Sequence, residues 1–414
     1  MEKITDLCTG CRTCEQLCAH HAISMVEDKE GFLTSSINQE QCVDCGLCVA
    51  RCPQNAPVDT KYSQSVFAIR LKDDDLLYRS ASGGAFAGIA KAWINEGGVV
   101  FGVVYDKEWN AHHVCASTLG ELSPILSSKY VQADTRHTFT EVKQYLKDGR
   151  KVLFSGTGCQ IAGLKAYLKK DYENLFTMDL ICHGVASPLL FKKYISWLGE
   201  KKKSPILDYD FRDKRYGWGL DYMFKISWLG EKKKSPILDY DFRDKRYGWG
   251  LDYMFKYSKK SERKSCTIDP YYYRFLEGFT YRECCFQCHY CNPQRAGDIT
   301  IGDYWGIEKE HPSFFNNKGV SCILINTQKG LTVWAKYSTL FYSLESTFEK
   351  VARHNGNLVQ PTKREAAIRD FIYDGINTQN WFCNTFAASF SPSLKVKLKS
   401  MIPMWCKFLI KKLV

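Results

Sequence analysis

The segments CTGCRTCEQLC at Cys8–Cys18 and CVDCGLCVARCP at Cys42–Pro53 decide how this chain is to be read. Each carries four cysteines spaced C-x2-C-x2-C-x3-C, and the second set begins 34 positions after the first. A C-x2-C step lets neighbouring thiolates grip one metal core, and soft sulfur suits iron. Two such quartets in phase are the run that holds paired iron–sulfur cubanes, in which the fourth cysteine of each set ligates the other cluster. One 4Fe-4S cluster is therefore assigned to Cys8, Cys11, Cys14 and Cys52, and a second to Cys42, Cys45, Cys48 and Cys18. A pair of zinc knuckles is the weaker alternative, because zinc wants four ligands per site rather than interlocked quartets.

Between the quartets, Ala22 to Ile37 alternates apolar and polar residues around Glu27 to Gly31, as a small hairpin does. The first 58 residues resemble a bacterial two-cluster ferredoxin module. Ala19 departs from that pattern, which often has proline after the fourth cysteine. Adjacent clusters imply single-electron transfer.

At 414 residues the chain has room for two or three domains. Nineteen cysteines in a chain this long, eight of them claimed by clusters, indicate a reducing compartment rather than a disulfide scaffold. Met1-Glu2-Lys3 leads to Cys8 without an apolar run, so neither a signal peptide nor a membrane span is expected, and the location read from this is cytoplasmic. The formal charge is +12, but anionic clusters and a bound dinucleotide would offset it. Nucleic acid is accordingly not expected as a partner.

Residues 59–65 read as a linker within a polar stretch that contains Pro57. Beyond it strands and helices alternate: Val66–Leu71, Val99–Tyr105, Lys151–Phe154 and Leu175–Ile181 as strands, with Ala85–Glu96, Thr138–Lys147 and Gln160–Lys170 as helices. That is an α/β pattern with parallel strands. Ser80-Ala81-Ser82-Gly83-Gly84 precedes a helix and suits a phosphate, or is simply a tight turn with an N-cap. Ser155-Gly156-Thr157-Gly158-Cys159-Gln160 joins a strand to a helix, and Cys182 follows the next strand. Both cysteines then fall on the carboxyl edge of the sheet, where α/β sites gather. Cys284, Cys285, Cys288 and Cys291 supply further sulfur. Cys285 and Cys288 can join Cys159 and Cys182 in a third cubane. A structural zinc on Cys285, Cys288, Cys291 and His289 is the other reading. His112 and His113 read as surface residues.

The segments SASGGAFAGIA, EGGVVFGVVYD, SSKYVQAD, GRKVLFSGTGCQIAGLKAYL, DLICHGVASP, FRDKRYGWG and CFQCHYCNPQRAGDITIGDYWGI occur in this order. Together they resemble the coenzyme F420 hydrogenase/dehydrogenase beta-subunit family over nearly all of the chain after the linker. The fold class implied is an α+β ferredoxin-like two-cluster module (1–58) followed by an α/β flavin/iron–sulfur domain, whose parts span 66–148 and 149–390. The resemblance implies FAD, with Ser82, Gly83 and Gly84 in its phosphate-binding turn and Ser128, Lys129 and Tyr130 near the flavin. It also implies a third 4Fe-4S cluster on Cys159, Cys182, Cys285 and Cys288. Gly158 stands where many members carry proline. The implied activity is that of an iron–sulfur flavoprotein oxidoreductase, moving electrons between 4Fe-4S clusters and FAD to reduce or oxidise a small organic substrate or a deazaflavin-type coenzyme. The alternative is a non-enzymatic electron-transfer subunit serving a partner oxidoreductase. A redox partner protein or ferredoxin is expected in either case. No general acid is identified; His183, Lys129 and Tyr130 are candidates by location.

Ile195–Lys225 recurs without a change as Ile226–Lys256. Thirty-one identical residues in two copies are not a solenoid, and the surplus copy is expected to be extruded as a surface insertion. Residues 391–414 form a basic, amphipathic tail with either weak peripheral membrane contact or docking on its own domain as its role.

Overall fold

The computed structural model describes residues 4–202, 206–210, 223–226, 252–257 and 260–401. At the N-terminus, the hairpin pairs Ile23–Glu27 antiparallel with Leu33–Ile37, turning at Asp28–Gly31. Two short helices, Thr13–Leu17 and Leu47–Ala50, follow the first cysteines of the two quartets. Ile4, Ile23 and Cys52 form a small core with Cys14, Cys18, Ile37, Cys48 and Val49 packed on it. So few apolar side chains give a module of this size little hydrophobic stability of its own, and metal ligation fits that need.

The rest is built on an eight-stranded mixed sheet. Its order is Phe341–Ser346, Ser65–Leu71, Ser321–Ile325, Ile299–Asp303, Leu175–Leu180, Val152–Thr157, Val99–Tyr105 and Ala111–Ala116. The four strands from Ile299–Asp303 to Val99–Tyr105 run parallel, and antiparallel strands flank them on both sides. Val99–Tyr105 (VVFGVVY) is almost wholly β-branched and aromatic, and its first four residues are buried, as a central strand covered on both faces requires. Ala85–Asn95, Thr138–Lys147 and Gly158–Leu168 are the helices the sequence suggests, displaced by at most two residues. Residues 66–148 and 149–390 are not separate bodies, since the sheet interleaves strands from both.

The proposed linker is pinned rather than loose. Lys61–Tyr62 within it pairs with Gln294–Arg295, and Gln64 N–H donates to the Ile325 carbonyl at 2.7 Å. His112 and His113 are not surface residues. They lie on the edge strand Ala111–Ala116 at 5% and 2% exposure, because Asp134 and the loop before Thr138–Lys147 cover that edge.

Most of the tandem repeat lies outside the described residues, and so does the expectation that one copy is extruded. Among its described pieces, Met223–Ile226 and the strand Asp252–Tyr257 are parallel neighbours in a four-stranded sheet whose other strands are Ile206–Asp210, also from the repeat, and Lys260–Ser265. In the tail, Leu394–Met401 is helical and Leu394 is exposed; the remaining residues of the proposed amphipathic segment lie outside the described ones. Among the described residues no helix is long and apolar enough to cross a membrane.

Candidate iron–sulfur and cofactor site

The strand Val152–Thr157 hands the chain to the helix Gly158–Leu168 through a capping box, in which Thr157 and Gln160 cap each other. Cys159 thereby sits in the first turn of that helix at the sheet's carboxyl edge, with its sulfur 3.1 Å from the Thr157 hydroxyl. The neighbouring strand Leu175–Leu180 ends two residues before Cys182. The cysteine-rich loop 284–291 is held against this edge from several sides. Arg282 N–H donates to the Val185 carbonyl at 3.0 Å, and the Cys291 thiol to the Cys182 carbonyl at 3.3 Å. Arg295, only 2% exposed, donates to the carbonyls of Tyr290 (2.7 Å) and Leu180 (3.0 Å) and pairs with Asp179 at 3.1 Å. Thr300 completes the buried network by bonding Asp179 and Arg295. A buried ion pair is tolerable only when its remaining donors and acceptors are satisfied, as here.

The thiols so gathered perturb one another. Burial, then the charges of Cys288, Cys182 and Cys284, pushes the Cys159 thiol up, and burial with Cys288 pushes Cys182 up to about 12. Contact with Cys291, the N–H groups of Tyr290 and Cys291, and the charge of Arg295 draw the Cys288 thiol below its usual range. Cys159 and Cys182 therefore resist ionisation unless a cation replaces their protons, which suits a metal core. Cys285 differs: it pairs with Cys284 and packs on the aromatic core around Tyr281 and Phe275, whereas Cys284 is a charge neighbour of Cys159 and Cys182.

In the N-terminal module the thiols also gather into groups. The charge neighbours of Cys14 are Cys11, Cys8 and Cys52, and those of Cys48 are Cys42 and Cys45. Cys18 and Cys48 both pack on the small core of Ile4, Ile23 and Cys52. Burial raises the Cys8 thiol, but Arg282 and the Gly10 N–H outweigh it and hold the group below its usual range. Among the described residues no three His, Cys, Asp or Glu close on a single ion. Cubane ligands stand around a four-iron core and need no such convergence.

The two parts are docked through buried polar contacts. Thr13 donates to the Gly163 carbonyl at 2.9 Å and Thr135 to the Cys11 carbonyl at 3.0 Å. Arg12 pairs with Asp134, and Arg369 grips Glu30 bidentately at 2.9 and 2.5 Å. A Cβ on Gly163 would meet Thr13 Oγ1 at 2.9 Å and the Cys11 Cβ at 3.0 Å, so glycine is what lets the module approach. Gly163 is one turn from Cys159 on the same face of its helix. The Cys8–Cys11–Cys14–Cys52 set thus abuts the third thiol set, while Cys45 of the other set is exposed.

A cleft of about 790 Å³ opens on the same edge, within the usual range for cofactor and ligand sites. Cys159, Cys182, His183, Ser82, Ser128, Lys129 and Tyr130 line it, as does Ala85–Ala87, the first turn of a helix. Gly83 and Gly84 stand behind that wall: the Gly83 N–H is spent on Ser321 Oγ at 2.8 Å and that of Gly84 on the Ala81 carbonyl at 3.1 Å. Ser82 donates to the Val320 carbonyl at 3.0 Å. The N–H groups of Ala85–Ala87, which a helix leaves without an intrahelical partner, are the ones this turn presents to the cleft. Lys129 turns its ammonium onto the carbonyls of Pro124 and Ser127, and Tyr130 stacks on Phe275 at 4.8 Å.

Arg295, Asp179 and Tyr290 escape a reading by motif, because no short spacing marks them. The nearest signal is the alternating polar–apolar run GDITIG, whose buried Asp298 and Thr300 advertise a network beneath the sheet.

Residues 149–342 match the family described as the C terminus of the coenzyme F420 hydrogenase/dehydrogenase beta subunit. Residues 7–56 match the 4Fe-4S dicluster domain. One subunit of the ion-translocating oxidoreductase complex of Methanosarcina acetivorans, its B component, is 49% identical over 49 residues, which is 12% of this chain and 17% of that protein. A chain from a xenon-derivatised F420-reducing NiFe hydrogenase complex of Methanosarcina barkeri aligns with 77% of this chain and 96% of its own, at 16% identity and a TM-score of 0.42.

Proposed function

The chain joins a 4Fe-4S dicluster domain to a domain of the coenzyme F420 hydrogenase/dehydrogenase beta-subunit family, and from that premise we propose that it is an FAD-dependent iron–sulfur oxidoreductase. The observation that carries the reading is the succession of thiol sets: an outer one with Cys45 exposed, an inner one at the domain interface, and a third whose Cys159 and Cys182 line the cleft. Cys18, Cys42, Cys45 and Cys48 would hold the outer cluster, and Cys8, Cys11, Cys14 and Cys52 the inner one. Cys159, Cys182 and Cys288 would hold the third, completed from the neighbouring sulfurs of Cys284, Cys285 and Cys291.

FAD bound in the cleft would supply the exchange between one-electron and two-electron chemistry. The chain's own part is positional. Ala85–Ala87 present N–H groups to the diphosphate, with Gly83 and Gly84 setting the turn. Ser128, Lys129 and Tyr130 form the wall against which the isoalloxazine rests, and the aromatic stack behind Tyr130 excludes water. The exposed face around Cys45 is where a redox partner protein would dock, and a small organic molecule or deazaflavin-type coenzyme would enter the cleft. The subunit of an oxidoreductase complex that the N-terminal module is similar to favours such a partner, and with it the second reading, an electron-transfer subunit with no substrate of its own.

Anaerobic purification followed by flavin extraction tests the proposal. One FAD per chain, bleached by a low-potential donor and reoxidised by an added small-molecule acceptor without other protein, is expected. Clusters without flavin would leave only the electron-transfer reading standing.

A further inference from the structure

Tyr290 lies where the N-terminal module meets the third thiol set. Its hydroxyl donates to the Pro53 carbonyl at 3.0 Å, and Pro53 directly follows Cys52. On its other side it sits between Cys288 and Cys291 in sequence, and its ring packs in the same core as Cys159 and Cys288. A Cβ on Gly158 would stand 2.8 Å from the Tyr290 Cβ. The absence of a Cβ at Gly158 is therefore what admits the tyrosine. Burial first, then the thiols of Cys159, Cys11, Cys288 and Cys52, raises its phenol, which places the ring among ligands of both sets.

We infer that Tyr290 is the bridge between the inner N-terminal cluster and the third thiol set, its bond to Pro53 closing a hydrogen-bonded route between them. The path runs from Cys52 through the Pro53 carbonyl and the phenol to the backbone of Cys288 and Cys291. Each event moves one electron: the inner centre is oxidised by one, the third is reduced by one, and the tyrosine remains unchanged. A low-potential one-electron donor supplies the charge. The inference rests on the three-cluster reading given above.

The test compares anaerobically purified wild type with Tyr290→Phe, which keeps the ring and loses only the bond. Glu30→Gln is the control, because it weakens a contact between the same two parts, the ion pair with Arg369, that does not involve Tyr290. Iron content is measured first; the clusters are then followed by freeze-quench electron paramagnetic resonance after mixing with dithionite. In wild type and Glu30→Gln the third centre is reduced together with the N-terminal pair. In Tyr290→Phe the pair is reduced as fast while the third centre lags on the order of tenfold, as rates that depend on close contact do when a contact is lost. Synchronous reduction in all three proteins, or the same lag in both variants, overturns the bridge. A wild type with no third iron centre removes the acceptor, and with it both the three-cluster reading and the bridge.

Discussion

Single side chains beneath the cleft carry charge that the fold must keep paired or neutral. Arg295 is the sole partner shown for the buried Asp179 carboxylate apart from Thr300. Arg295→Met should cost about 3–5 kcal/mol, because it strands a buried charge, and should appear as a lowered midpoint in urea. An unchanged midpoint would show that the Asp179 carboxylate does not depend on Arg295. His113 is stacked flat on Phe154, and its Nδ1 has no partner among the described residues. Burial lowers its pKa to about 4. The unfolded chain binds the proton more readily, so the native state is fully favoured above about pH 6.5 and loses stability as pH falls towards 4. The total is about 3 kcal/mol. Thermal melts of wild type and His113→Gln between pH 7 and 5 should converge as the wild type alone loses stability. Parallel curves would show that the imidazole stays solvated. Neither residue was legible in the sequence. His113 follows a second histidine in a polar-looking run, and only the loop folded over the edge strand explains its burial.

Elements show where sequence reading succeeds. Strongly patterned segments, such as the apolar run VVFGVVY and the helix ending at Gly97-Gly98, form where expected because burial on both faces and a glycine stop each leave one local solution. The linker was misread because composition marks Pro57 and the polar residues around it but says nothing of the distant Gln294–Arg295 that pairs with Lys61–Tyr62. The docking helix depends on one glycine that no pattern singles out. Gly163→Ala should overpack the contact with Thr13 and Cys11 at a cost of about 1–3 kcal/mol. Faster proteolysis within residues 56–64 would register the detached module; cleavage at the wild-type rate would show that the helix yields. The tandem copies make a simpler forecast. Removing residues 226–256 should leave iron and flavin content unchanged, and loss of either cofactor would show that both copies are needed.

At the scale of the whole molecule, the two cysteine quartets of the N-terminal module were readable from spacing alone, because cubane chemistry fixes such spacing. The third set was not, since its members come from a strand-to-helix turn, a strand end and a loop more than a hundred residues later, and only the sheet brings them to one edge. Choosing among Cys284, Cys285 and Cys291 depends on loop geometry that spacing does not encode. The account stands or falls on three thiol sets holding three clusters. Iron and acid-labile sulfide should be measured per chain after oxygen-free purification, in wild type and in Cys182→Ser. The account predicts about twelve irons in wild type and about eight in the variant. About eight in both, or zinc in place of iron, would contradict it.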